Sequence, residues 1–112
     1  MAEIKPIKLQ YEDGIEYVLE FNASTVKEAE RAGFNIGEIV NKPMTLVPLL
    51  FFFSFKMHHP TISMKKTDKI LYEDLGGLSE ALQERLVELY LAPMEELGGT
   101  DQPKNPNMRV VL

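Results

Sequence analysis

A chain of 112 residues, 45% of them apolar, has the material for one compact domain and not for two. Its 12 Lys and Arg stand against 17 Asp and Glu, a net charge of −5, and no stretch gathers the cationic cluster that neutralising a phosphate backbone requires; nucleic acid is not an expected partner. With no Cys there is no disulfide framework, no thiolate metal cage and no cysteine nucleophile, which fits a reducing compartment, with the cytoplasm as the default reading.

Met1 to Gln10 lacks the basic segment, apolar run and small-residue cleavage site of a secretory signal. Near-alternating apolar positions at Ile4, Leu9 and Tyr11, then Glu12-Asp13-Gly14, then Ile15, Tyr17, Leu19 and Phe21 predict a β-hairpin. The alternation turns Ile15, Tyr17, Leu19 and Phe21 to a core and Glu16, Val18 and Glu20 to water. A lone hairpin is marginal and needs a cover.

Thr25-Val26-Lys27-Glu28 has capping-box spacing and predicts a short helix running to about Ala32, closed by Gly33 with Phe34 folded back on the last turn. A second short helical piece is expected around Ile36 to Val40. Pro43 and Pro48 both suit a helix start, where amides have no intrahelical acceptor to lose, and the helix predicted from Met44 to His58 is stopped by Pro60. Its apolar run, Leu46 to Phe55, is ten residues interrupted by Pro48 and Ser54, short of the roughly 20 of a membrane span. Ser63 caps a helix expected from Met64 to Asp74, with Met64, Thr67, Ile70 and Leu71 on one stripe and Gly76-Gly77 at its end. Ser79 starts the last helix, where Leu82, Leu86, Leu89, Tyr90, Pro93, Met94 and Leu97 share one band and Pro93 introduces a kink. From Gly98 the composition becomes too polar to offset its ordering entropy, so residues 98–112 read as a loose tail behind a domain of residues 1–97. The expected architecture is α+β: a mostly helical small domain with an N-terminal β-hairpin packed against three to four helices.

Catalytic signatures are missing. His58 and His59 are adjacent and so point about 100° apart on a helix, unlike an i, i+4 chelating pair. The serines read as caps or fillers, and no nucleophile elbow, phosphate loop or dinucleotide glycine pattern occurs. Asp68, His58, His59 and Glu73 are the only concentrated titratable groups an enzyme could use. The expectation is a non-enzymatic chain with no cofactor and no bound metal. Lys65, Lys66 and Lys69, with Lys56, form a small cationic group that reads as surface.

Two features suit a protein partner. Glu80, Glu84 and Glu88 lie at i, i+4, i+8, with Glu95 on the same side if the helix continues, making an acidic stripe for a basic partner or a solvated face. The helix from Met44 is apolar nearly all round. Val47, Leu50, Phe51, Ser54 and His58 share one side, and Thr45, Leu49, Phe52, Lys56 and His59 the other. Either the small domain covers both sides or the second is exposed, in which case Leu49 and Phe52, each worth roughly 1.5–3 kcal/mol on burial, favour a partner or a homo-oligomer. The candidate contact surface is Leu49, Phe52, Phe53 and Lys56, with Glu80, Glu84 and Glu88 as a second one.

The succession of a hairpin, Val26-Lys27-Glu28-Ala29-Glu30-Arg31-Ala32-Gly33-Phe34, Lys42-Pro43-Met44-Thr45-Leu46-Val47-Pro48-Leu49-Leu50-Phe51 and a closing His58-His59 resembles the small tail assembly chaperones of siphovirus-type phages and prophages of Gram-positive bacteria. Leu86-Val87-Glu88-Leu89-Tyr90 with Pro93 and Met94, ahead of a polar tail, resembles the C-terminal end of that family, so the likeness spans about Leu9 to Leu97. Where those proteins carry small residues after the Pro-centred segment, this chain has Phe51-Phe52-Phe53. The resemblance implies a non-enzymatic protein of the host cytoplasm that binds the tape measure protein, shields its apolar helical segments, helps recruit tail tube protein and is absent from the finished virion. Some members of that family are also made as a frameshifted, longer form, to which a polar tail could link. The competing reading is a structural phage component, a head-tail connector or tail terminator subunit that forms a ring.

Overall fold

The computed structural model describes residues 4–99 and 103–112; the expectations placed on Met1–Glu3 and on the tail at 100–102 lie outside the described residues. The chain folds as an α+β domain with the hairpin at its N-terminal end packed against helices. Strands β1 (Ile7–Gln10) and β2 (Glu16–Leu19) pair antiparallel, Ile7 opposite Leu19 and Leu9 opposite Tyr17. Gly14, at φ +95°, lets the turn close: its N–H donates to Tyr11 O at 3.0 Å, and the Asp13 carboxylate accepts from Ile15 N–H at 3.1 Å. Leu19 and Phe21 enter the core as the alternation predicts, but Ile15 is half in water because it belongs to the turn, beyond the reach of the helices. Val18, expected to be wet, is half-buried against the end of the central helix.

Helix α1 (Ala23–Arg31) begins earlier than its expected capping box. Asn22 is the cap: its side chain accepts from Thr25 N–H at 2.9 Å and its own N–H donates to the Thr25 hydroxyl at 2.9 Å. Thr25 thus fills the role assigned to Glu28, and as a buried N3 residue it holds the cap in place. The other end follows the sequence reading. Gly33 sits at φ +99°, its N–H donates to Glu30 O, Phe34 N–H reaches back to Ala29 O, and the buried Phe34 ring packs 4.9 Å from Tyr90.

Helix α2 (Pro43–Phe55) is the pillar of the fold, touching β2, α1, α3 and α4. Pro43 occupies its first position, whereas Pro48 lies inside rather than at the start; the missing N–H forfeits one bond to the carbonyl of Met44, in the solvent-facing first turn. The helix stops at Phe55, three residues short of expectation, as Lys56 to His58 tighten into a turn ahead of Pro60. Leu46, Leu50, Phe51, Phe53, Ser54 and Phe55 are all buried, and Ser54 hides its hydroxyl by donating to Phe51 O at 2.5 Å.

Helix α3 (Met64–Lys69), capped by Ser63 as expected, widens into a π-helical turn over Ile70–Asp74 instead of continuing as α-helix. Leu75 N–H donates to Ile70 O and Gly77 N–H to Leu71 O, and Ile70 and Leu71 both lie in the core. The Tyr11 hydroxyl donates to the Asp74 carboxylate at 2.5 Å, tying the hairpin to this turn; that bond and the nearby charge push the tyrosine up to about 12. Helix α4 (Glu80–Leu91), capped by Ser79, presents Leu86, Leu89 and Tyr90 to the core. At Pro93 it tightens into a 3-10 segment, Ala92–Gly98, rather than a kinked continuation. The expected band therefore breaks, leaving Leu97 88% exposed and Glu95 out of register with the acidic stripe. Residues 103–112 form neither helix nor strand and are exposed save for a half-buried Pro103. The radius of gyration, 16.3 Å, accordingly exceeds the roughly 13 Å of a compact domain.

Candidate functional site

The two ends of α2 are finished differently. At its C-terminal end the outer edge of β2 docks onto the helix: Glu20 N–H donates to the otherwise unclaimed Ser54 carbonyl at 2.8 Å, and Val18 N–H to His59 Nε2 at 3.0 Å. Tyr17 stacks edge-on against Phe55 at 5.5 Å and His59 at 5.1 Å, and His58 Nε2 meets Glu20 Oε1 at 2.8 Å. Burial, and then the neighbouring His58, lowers the pKa of His59, as befits an imidazole that must stay neutral to accept an amide. Both histidines are structural clasps here. Asp68 and Glu73 line another hollow together with Lys65, Lys66 and Lys69, while Lys56 lines a third with Glu28. The four titratable residues therefore divide between two places, and of the cationic group Lys65, Lys66 and Lys69 stay together while Lys56 lies apart. Among the described residues no cluster of three His, Asp or Glu is placed to hold a metal ion, and no helix is long and apolar enough to cross a membrane.

Of the first candidate surface, Phe53 is a core residue, only 7% exposed, because α2 is surrounded at that level. Leu49 and Phe52 are half-buried and pack on the core cluster. Lys56 lies 5.1 Å over the Phe52 ring and donates to Pro60 O at 3.1 Å, closing that face with the chain's own atoms. Glu80, Glu84 and Glu88 are all exposed, and only Glu88 has a cationic neighbour, Arg85, at 3.8 Å.

The N-terminal end of α2 is open. Pro43 and Val47 form the floor of a hollow of about 360 Å³, walled by Ile39, Val40, Leu78 and Val87, with Glu80 and Glu84 on its rim. A second hollow of about 230 Å³ shares Pro43, Val47, Leu78 and Gln83 with the first and extends it past Met44 and Pro48 to Tyr72. Together they make one groove between α2, the start of α4 and the π-helical turn. Val40 is 85% exposed, Met44 77% and Tyr72 53%, an unusual concentration of large apolar groups in water. A wider cleft of about 1010 Å³ between the start of α1 and the 3-10 segment is lined by Ile4, Phe21, Ala92 and Pro93 together with Glu20, Glu95 and Glu96. The groove therefore joins Glu80 and Glu84, two of the three acids of the predicted stripe, to the N-terminal end of α2. Val40 and Met44, apolar residues on either side of Asn41-Lys42-Pro43, were its local trace.

These features define a small α+β domain whose accessible chemistry is an acid-rimmed apolar groove. The chain belongs to the family described as a domain of unknown function, DUF5055, which it matches over residues 1–112. No curated protein and no solved structure matches it.

Proposed function

We propose that the chain is a non-enzymatic assembly chaperone that receives an apolar helical segment of a partner in the groove between α2 and α4. The observation that carries this reading is the groove itself: Val40, Met44 and Tyr72 offered to water beside Glu80 and Glu84. An amphipathic helix with basic flanks matches both, burying its apolar face on the floor while the acids meet its charge. Each Leu or Phe so buried contributes roughly 1.5–3 kcal/mol, enough to hold a segment without nucleotide. Flexible Met44 lets the floor adapt to varied sequences.

The resemblance to siphovirus tail assembly chaperones supplies the partner: the tape measure protein, bound in the host cytoplasm, with tail tube protein recruited next and the chaperone left out of the virion. Co-expression with a tape measure protein tests it. The expected result is that the tape measure protein becomes soluble and co-purifies, and that Val40→Asp with Met44→Asp abolishes this while leaving the melting temperature unchanged. Capture that survives that change but fails in a folded Leu49→Asp, Phe52→Asp variant moves the surface to the middle of α2. Indifference to the tape measure protein, with discrete rings formed by this chain alone and the chain retained in purified particles, replaces the chaperone reading with a connector or terminator subunit.

A further inference from the structure

The groove is not the sole exposed apolar feature among the described residues. Another is the segment 108–112, Met-Arg-Val-Val-Leu, in which Met108, Val110, Val111 and Leu112 are all exposed. Its chemistry mirrors the groove: short aliphatic side chains around Arg109, against an aliphatic floor rimmed by Glu80 and Glu84. In the structure the segment and the groove both lie open to water, Val111 and Leu112 as much as Val40 and Met44, so the segment does not cover the groove of its own chain. A second copy offers the same floor and the same acids.

We propose that residues 108–112 of one copy seat in the groove of a second copy, with Arg109 between Glu80 and Glu84 and Val110 and Val111 on the floor. The contact is head-to-tail, each copy offering one groove and one segment, so association closes as a reciprocal pair or a ring or runs on as a chain. It shares the groove, but not the partner, of the proposed function: a partner helix and a second copy exclude one another, and failure to capture a tape measure protein leaves the self-contact standing.

Sedimentation velocity on the full chain tests this. The wild-type average mass should rise with concentration above that of one chain and fall back when salt is raised. Glu80→Lys with Glu84→Lys, which spoils the groove, and Val110→Asp with Val111→Asp, which spoils the segment, should each be monomeric with unchanged melting temperatures. Mixed in equal amounts, they should form a one-to-one pair and nothing longer, since only one productive contact remains. A second segment variant, Arg109→Glu, should associate with the Glu80→Lys, Glu84→Lys chain and not with itself. A wild-type chain monomeric at every concentration overturns the proposal, whether its segment is free or folded on its own groove. So do variants that associate as the wild type does, or a mixture that stays monomeric.

Discussion

The two ends of α2 carry similar side chains and meet opposite fates. Around Phe55 the hairpin, His59 and the aromatic rings of Tyr17 and Phe51 bury the helix end completely at Phe55, whereas around Met44 the same helix lies bare between the π-helical turn and α4. The difference is not one of hydrophobicity. The C-terminal end has unclaimed carbonyls that an edge strand can use, and the hairpin lies close enough to use them. The N-terminal end has Pro43 and Pro48, which offer no N–H, and its neighbours stop short of it. A sealed end contributes stability, and an open end contributes a surface.

That contrast can be broken by substitution. Phe55→Ala removes a fully buried ring from the sealed end and should cost about 3–5 kcal/mol, read as a drop in the urea midpoint. His59→Ala leaves Val18 N–H without its acceptor and should cost about 1–3 kcal/mol, read in the same melt and as faster amide exchange at Val18. Acid should loosen the same clasp. Since the folded His59 pKa lies below its ordinary 6.5, the unfolded chain binds more protons in that interval. Stability is therefore full above pH 6.5 and declines as pH falls toward the lowered value, and the decline should shrink in His59→Ala. At the open end, Met44→Ser should change stability by less than about 0.5 kcal/mol while weakening partner capture, the reverse of the pattern at Phe55.

Much of the fold was legible because it rests on local rules. The Asp13-Gly14 turn, the Gly33–Phe34 helix ending and the Ser63 and Ser79 caps each follow from the backbone freedom or hydrogen-bonding capacity of residues a few positions apart. Local rules failed where two residues could do the same job. Asn22 and Thr25 both make good caps, and the burial of Thr25, a tertiary fact, settled the choice. The π-helical turn at Ile70–Asp74 also escaped, because no periodic signal in the sequence announces it. The candidate surface was legible in half, as the acids Glu80 and Glu84 but not as the groove they border.

The sequence by itself determined the elements and their order, because turn residues, caps and apolar spacing act within a few residues of one another. Which part of α2 remains uncovered was decided only by the tertiary structure. A helix apolar on every side has no polar stripe to mark its free face, and burial sums neighbours from Ile39 to Val87 that meet only once the chain has folded.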